Sequence, residues 1–303
     1  MQRYDVVIIG GGPAGLTAGL YASRAGLKAL LLERAIFGGQ IINARLVENY
    51  PGFSEGVSGM KLGELMHQQA IKYGLESLTS EVTAVSIGHP YQIFTTEGAI
   101  QAKSIIIATG SEYSRLEVAG EQKLLGRGVS YCATCDGFFF RDQEVAVVGG
   151  GDAALTDALE LVQHCRKVYV IHRREQLRAT KVLQEKAFSQ PKIEFIWNTV
   201  VEEILGDEKL KALRLRNVKT EQTSSLEVHG VFVAVGLKPN SQLFSNLVKL
   251  NEAGLIIVDE LMRTLTPGIF AAGDIRRDSA RQAITAAGDG AVAAKSAFQY
   301  LQE

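Results

Sequence analysis

Short runs of consecutive apolar, largely β-branched residues recur along the chain, and each is closed by glycine. Tyr4–Ile9 runs into Gly10–Gly15, Ile105–Ala108 into Gly110, Glu144–Val148 into Gly149–Gly151, and Val231–Val235 into Gly236. Continuous rather than alternating apolar residues are what strands of a parallel sheet, covered on both faces, require. Two of the runs lead into segments with apolar residues at helical spacing, Leu16–Ala25 and Ala153–Gln163. Each helix is followed by a second strand, Lys28–Leu32 or Lys167–Ile171. Strand, glycine turn, helix, strand therefore occurs twice, at a separation far too long for a solenoid repeat. Two independent nucleotide-binding units are expected. Ser104–Gly110 and Gly230–Gly236 resemble each other and read as the buried strand that closes each unit. Beyond them Leu255–Val258 and Gly268–Ala272 are strand-like, and Ala283–Phe298 is alanine-rich and helical. That is too little chain for a third nucleotide domain, so it is expected to return to the first. The fold class predicted is α/β, with two Rossmann-like dinucleotide-binding domains. Residues 116–241 form the inner one, inserted into an outer one made of 1–115 and 242–303.

Composition narrows the function. The chain has 303 residues, 46% hydrophobic and 21% charged, which is globular composition. Thirty-two Lys and Arg against 33 Asp and Glu leave a net charge of −1. There is no basic excess for a nucleic-acid groove or an acidic membrane surface, and no apolar run approaches the roughly 20 residues of a bilayer span. Met1–Asp5 leads straight into a strand without the pattern of a signal peptide, so the expected location is the cytoplasm. Three cysteines are too few, and odd in number, for a secreted disulfide framework.

The candidate chemistry lies in the glycine turns and in one cysteine pair. Gly10-Gly-Gly-Pro-Ala-Gly15 fits G-x-G-x-x-G. Gly10 permits the tight turn, Gly12 lets a pyrophosphate approach the backbone, and Gly15 lets helix and strand pack closely, with Pro13 and Ala14 opening the helix. Glu33 ends the next strand roughly twenty residues on, where a carboxylate accepts from ribose hydroxyls. The second turn, Gly149, Gly150, Gly151, Asp152, Ala153 and Ala154, fits G-x-G-x-x-A. At the equivalent distance it has His172, Arg173 and Arg174, with Arg178 beyond. A carboxylate repels a 2′-phosphate and guanidinium groups bind one, so the first turn suits a dinucleotide without that phosphate and the second suits NADP. Cys132-Ala-Thr-Cys135 has the spacing of a reversible disulfide, which in a cytosolic protein means redox work or a metal. A structural zinc needs four ligands and there is no second such pair, so no metal site is assigned. Asp136 is either a turn carboxylate or, if partly buried, an acid able to move a proton to or from a thiolate. Phe138 and Phe139 either fill core or flank a docking site. Cys165 reads as an inert buried thiol, and His67, His89, His164 and His229 belong to no constellation.

These motifs, together with Gly38-Gly-Gln40, Glu48-Asn-Tyr-Pro-Gly52, Ala108-Thr-Gly110, Cys132-Ala-Thr-Cys-Asp-Gly137, Ala272-Gly-Asp274 and Arg281-Gln-Ala-Ile284, are similar to those of the low-molecular-weight bacterial thioredoxin reductases. The resemblance covers essentially the whole length. It implies that FAD lies on the outer domain, with Gly10, Gly12 and Gly15 at its pyrophosphate and Glu33 at the adenosine ribose. Val82 would meet the adenine through its backbone, Gln40 and Asn49 the flavin side, Asp274 the ribityl chain, and Gln282 and Ala283 the isoalloxazine. Gly39, Thr109, Gly110, Gly273 and Arg281 belong to the same motifs. The inner domain would bind NADPH through Gly149–Ala154 and the basic cluster. Electrons would pass from NADPH through FAD to a Cys132–Cys135 disulfide, with Cys135 beside the flavin and Cys132 attacking the disulfide of thioredoxin. Asp136 would manage the proton. The resemblance further implies a homodimer, and a hinge between the domains near Tyr113–Val118 and Lys238–Phe244. Two departures bear on the electron donor. Many relatives carry a hydroxyl residue at the position of Ala153, and a Glu-Glu pair where this chain has Thr156-Asp157. The alternative is a flavin disulfide oxidoreductase on the same scaffold, acting on another dithiol or disulfide or fed by another donor.

Overall fold

In the structure, a computed structural model, residues 2–44 and 46–303 are described. The chain begins with β1 (Gln2–Ile9), α1 (Pro13–Arg24), β2 (Ala29–Glu33), α2 (Gly59–Lys72), β3 (Glu76–Thr79), β4 (Val82–Ser86), β5 (Tyr91–Thr95) and β6 (Gly98–Ile107). After β7 (Ser111–Tyr113) come β8 (Val129–Ser130), α3 (Ala133–Asp136), β9 (Glu144–Gly149), α4 (Asp152–Leu161), β10 (Lys167–Ile171), α5 (Lys181–Phe188) and β11 (Ile193–Ile196). Then follow β12 (Thr199–Gly206), β13 (Leu210–Asn217), β14 (Thr223–Glu227), β15 (Gly230–Ala234) and β16 (Leu237–Pro239), and finally β17 (Ile269–Ala271) and α6 (Ala283–Tyr300).

Two units result. The outer one comprises Met1–Glu112 and Lys238–Glu303, the inner one Tyr113–Leu237. Both divisions fall a few residues ahead of the 115 and 241 read from sequence. At these crossings β7 and β16 pair as a two-stranded ribbon. The expected fold class is met: each unit carries a sheet with a parallel core, β3-β2-β1-β6 with β17 in the outer one, where β5 and β4 run antiparallel, and glycine turns follow β1 and β9.

In the outer unit the strand order is β3-β2-β1-β6-β5-β4, with β17 on the second half of β6. Period-two alternation divides β1 between the two faces. Val6 and Ile8 pack with α1 and α6, while Val7 and Ile9 pack with Phe244, Leu247 and Ile256. The C-terminal segment therefore supplies both a strand and a covering helix to the first domain. Leu255–Val258 is not a strand. Ile256 makes only isolated bridges to Leu250 and Arg276, and the run is apolar because a loop buries it against the sheet face.

The inner sheet, β11-β10-β9-β15-β8, is wholly parallel. α4 covers one face on Val145 and Val147. The other face, Ala146 and Val148, is covered by the antiparallel sheet β12-β13-β14 through Val201, Ile204, Leu213 and Leu215, an element the sequence reading did not include. Among the described residues no helix is long and apolar enough to cross a membrane.

Candidate functional site

The outer glycine turn is built by steric exclusion. Gly10 sits at φ +109°, and a Cβ there would lie 2.3 Å from the Ala108 carbonyl oxygen. A Cβ on Gly15 would lie 1.8 Å from the Gly10 oxygen, so α1 can touch the turn only without a side chain there. Gly12 caps α1 with no side-chain acceptor, and Pro13 follows as its first residue. The amides of that first turn are thus left for an anion. Gly39, at φ +61°, brings a second backbone segment onto the turn: its Cβ would lie 2.8 Å from the Gly12 Cα.

Glu33 and Gly273 touch this cradle, and hydrogen bonds place several of the other outer residues. Glu33 accepts from the Gly11 N–H at 2.7 Å and the Ala35 N–H at 3.0 Å, which leaves further lone pairs for hydroxyls. The Ser80 N–H donates to the Glu33 carbonyl at 2.8 Å, bringing Val82 to the same strand end. Asn49 donates through Nδ2 to Gln282 Oε1 at 3.1 Å, joining two residues far apart in sequence. Gln40 accepts from Asn43 at 3.3 Å. Thr109 donates to the Asn240 carbonyl, and Asn240 returns bonds to the Thr109 and Gly110 carbonyls. A Cβ on Gly273 would lie 2.9 Å from the Ala14 Cβ, so the next residue, Asp274, is presented over the start of α1. Burial pushes the Asp274 carboxyl up, and the Ser279 hydroxyl, donating at 2.9 Å, partly opposes this. Arg281 adopts φ +56°, Gln282 caps α6 and Ala283 opens it. A side-chain-free cradle at an uncapped helix start, with carboxylates at its rim, fits FAD.

In the inner unit a Cβ on Gly149 would meet Ala234 at 2.4 Å and Ala154 at 2.7 Å, whereas Gly151 faces open space. α4 also starts without a capping side chain, and Asp152 instead accepts from the Thr180 N–H at 2.6 Å. The Arg178 N–H donates to the Gly150 carbonyl at 2.7 Å, which ties the basic segment to the turn. Arg173, Arg174 and Arg178 are exposed, and among the described residues none is in an ion pair. Ala153 is exposed at the start of α4. This donor set fits an NADP phosphate. His172 differs from its neighbours. Its ring turns inward beneath Gly150, only 4% exposed, with Nε2 against the Gln176 carbonyl at 3.1 Å and an edge contact to Trp197. Burial pushes its pKa down, so it supports the turn as a neutral ring.

Cys132 and Cys135 form a disulfide across the single turn of α3. Cys132 is the N-cap, and its Sγ accepts from the Cys135 N–H at 3.2 Å. Cys132 is half-buried and Cys135 exposed. Thr134, between them, donates to Glu160 on α4 at 2.8 Å. Asp136 is half-buried, and burial pushes its carboxyl above the ordinary range. Phe138 and Phe139 are 57% and 46% exposed, so they belong to the surface rather than the core. Cys165 is fully buried, its thiol pushed up to about 11 by burial, as an inert thiol should be.

A family model of pyridine nucleotide-disulphide oxidoreductases matches residues 4–290. The chain is 47% identical to a thioredoxin reductase of Listeria innocua over 302 residues, 99% of this chain and 94% of that one. The chain belongs to the thioredoxin reductases. A crystal structure of the Streptococcus pyogenes thioredoxin reductase aligns with a TM-score of 0.95 at 45% identity, covering 99% of this chain and 98% of that one. A bifunctional thioredoxin reductase/thioredoxin of Mycobacterium leprae is 45% identical over 99% of this chain and 66% of its own length. This thioredoxin reductase is accordingly an oxidoreductase that acts on a disulfide.

Several residues of this thioredoxin reductase site escaped the sequence reading. They are Ser130, Glu160, Asn240 and the Arg276–Asp289 pair. Asp289 is a lone carboxylate in an alanine- and glycine-rich helix, which was a usable signal. It accepts from Arg276 Nε at 2.6 Å, Arg276 Nη2 at 2.9 Å and the Gly273 N–H at 3.0 Å, fastening the Asp274 loop to α6. The two side chains are only 16% and 9% exposed. Asp289→Ala is therefore expected to cost about 3 kcal/mol by stranding a largely buried guanidinium. Chemical unfolding would measure it, and a loss under about 1 kcal/mol would mean that the pair behaves as a surface one.

Proposed function

We propose that this protein is an NADPH-dependent, FAD-containing reductase of thioredoxin, acting through the Cys132–Cys135 disulfide. The observation that carries the reading is that disulfide, closed over one helical turn with Asp136 at its end, in the same unit as the second glycine turn and three unpaired arginines. Gly10, Gly12, Gly15, Gly39, Glu33, Asp274 and the Asn49–Gln282 pair would hold FAD. Gly149–Ala154 with Arg173, Arg174 and Arg178 would hold NADPH; the inward His172 supports the turn from beneath. Bound FAD supplies a two-electron carrier that accepts hydride from a nicotinamide and passes an electron pair to a disulfide.

The protein's own groups carry the exchange. In the reduced pair the Cys132 thiolate is stabilised by the Cys135 N–H and attacks one sulfur of the substrate disulfide. A mixed disulfide forms and the substrate's second sulfur leaves as thiolate, taking a proton from Asp136. Cys135 gives its proton to the Asp136 carboxylate and attacks the Cys132 sulfur, closing the internal disulfide; the substrate's first sulfur leaves as thiolate and takes that proton, so the substrate is released as a dithiol. The exposed Phe138 and Phe139 offer an apolar rim for a protein substrate. The M. leprae relative, whose name joins reductase and thioredoxin in one chain, supports thioredoxin as that substrate. A cytoplasmic homodimer is the expected form.

Anaerobic mixing of the purified flavoprotein with one equivalent of NADPH, followed by flavin absorbance, tests this. Fast bleaching by NADPH, slow bleaching by NADH and recovery of the yellow form on adding oxidised thioredoxin are expected. No bleaching by either nucleotide would mean that the protein is fed by another donor. Bleaching without recovery would direct attention to another disulfide substrate.

A further inference from the structure

Beneath the disulfide, one hydroxyl touches both the proton carrier and the backbone of the attacking cysteine. Ser130 lies at the end of β8 and is 4% exposed. Its Oγ donates to Asp136 Oδ2 at 2.6 Å and accepts from the Cys132 N–H at 3.0 Å. A second acceptor, the Cys132 carbonyl oxygen, lies 3.3 Å from the same Oγ. A hydroxyl has one proton to give and two lone pairs with which to accept. It can serve only one of the two acceptors at a time.

We propose that Ser130 is a positioning residue whose hydroxyl turns with the protonation of Asp136. With the carboxylate charged, the Ser130 O–H points to Oδ2. When Asp136 takes a proton, its own O–H donates to Ser130 Oγ and the Ser130 proton turns to the Cys132 carbonyl. No hydrogen bond is lost in either state, and no proton leaves the trio except the one that Asp136 exchanges with a thiol or thiolate. This rests on the reading of Asp136 as the proton carrier and adds what sets its working range. Burial favours the neutral acid, and donation from Ser130 favours the carboxylate. The balance is local. α3 packs on α4 and on the turn Gly137–Phe140. The charged groups on these elements are Asp152, which accepts from the Thr180 N–H, Asp157, and Glu160, which is bonded to Thr134; just after the turn comes Arg141, which lies over Phe138. Glu121 is engaged by Tyr131, next to Ser130. On reduction the Cys132 and Cys135 thiols also titrate. With the disulfide closed, burial raises the Asp136 pKa and the Ser130 hydroxyl lowers it.

The test is the pH dependence of exchange between the dithiol form of the full flavoprotein, reduced with dithionite, and a chromogenic aryl disulfide. It is run in the wild type and in Ser130→Ala, Ser130→Thr and Asp136→Asn. Protonation of Asp136 is followed in parallel from its carboxyl stretch by infrared difference spectroscopy. Removing a donor to the carboxylate raises its pKa. The limb belonging to Asp136 and its infrared titration are therefore expected to move to higher pH in Ser130→Ala by about one unit, the scale of one hydrogen bond to a charged group. Ser130→Thr keeps the hydroxyl and should keep the wild-type limb. If Ser130→Ala does not accumulate folded, Ser130→Gly takes its place. A limb lost in Asp136→Asn but unmoved by removal of the hydroxyl overturns the role of Ser130 and leaves the proton carrier standing. A limb that persists in Asp136→Asn overturns the reading of Asp136 itself, and the role of Ser130 with it.

Discussion

Cys132→Ser is expected to abolish reduction of thioredoxin while leaving NADPH bleaching of the flavin at the wild-type rate. The loss should be at least about a thousandfold, the scale reached when a covalent nucleophile is removed. A serine hydroxyl does not ionise near neutral pH, so nothing remains to open the substrate disulfide. Cys135→Ser should fail differently. Its Cys132 thiol is intact and still receives a backbone N–H, so the first attack proceeds, but no second sulfur resolves the product. A covalent one-to-one adduct with thioredoxin should accumulate and be visible on a non-reducing gel, and a thiol reductant should disperse it. The two variants together assign the order of attack. An adduct in Cys132→Ser and none in Cys135→Ser would reverse it, making the more exposed sulfur the nucleophile.

Arg174→Ala combined with Arg178→Ala is expected to cost NADPH, and not NADH, about a hundredfold or more in kcat/KM for flavin bleaching. Each lost charge-assisted hydrogen bond to a phosphate is worth about 1.5–3 kcal/mol, roughly ten- to a hundredfold. The two residues are suited to this because among the described residues neither guanidinium is engaged in an ion pair, and the Arg178 N–H donates to the Gly150 carbonyl of the second glycine turn. NADH lacks the 2′-phosphate and has nothing to lose. Equal losses for both nucleotides would show that the arginines hold the fold rather than the phosphate. His172→Asn provides the contrast. Its ring is buried and uncharged, so the change should lower stability and leave the ratio of the two nucleotides alone.

Both glycine turns were legible because they are exclusions: at Gly10, Gly15 and Gly149 no other residue fits beside the neighbouring carbonyl, and a requirement of that kind is written in single letters. The inserted topology was legible from chain length, since too little chain followed Gly236 to bury a core alone. What stayed hidden depends on burial and partners. His172 sits among arginines and reads as one more cation, but only its depth separates an inward ring from an outward guanidinium. Leu255–Val258 has strand composition without a strand, because a loop on a sheet face needs the same apolar side chains as a ladder. Ser130 stands two residues before a cysteine, where serines commonly close turns. Its two acceptors become evident only when β8 and α3 are side by side. In the covering sheet Leu213 and Leu215 alternate, but a β-bulge between Val201 and Glu203 sets Val201 and Ile204 three residues apart, so the period of two is broken in the sequence.

The outer unit is written in two pieces of sequence, and protein synthesis runs in one direction. By residue 237 the growing chain contains the strands and helices of the inner unit and both cysteines of its redox pair. The outer sheet at that moment still lacks β17 beside β6, and α1 still lacks α6 along its flank. Asp274 and Gln282 have not been made, so the glycine cradle of Gly10–Gly15 stands open on the side they will close. Domains fold as units as they emerge, so the inner unit is free to fold before β17 and α6 are available to complete the outer one.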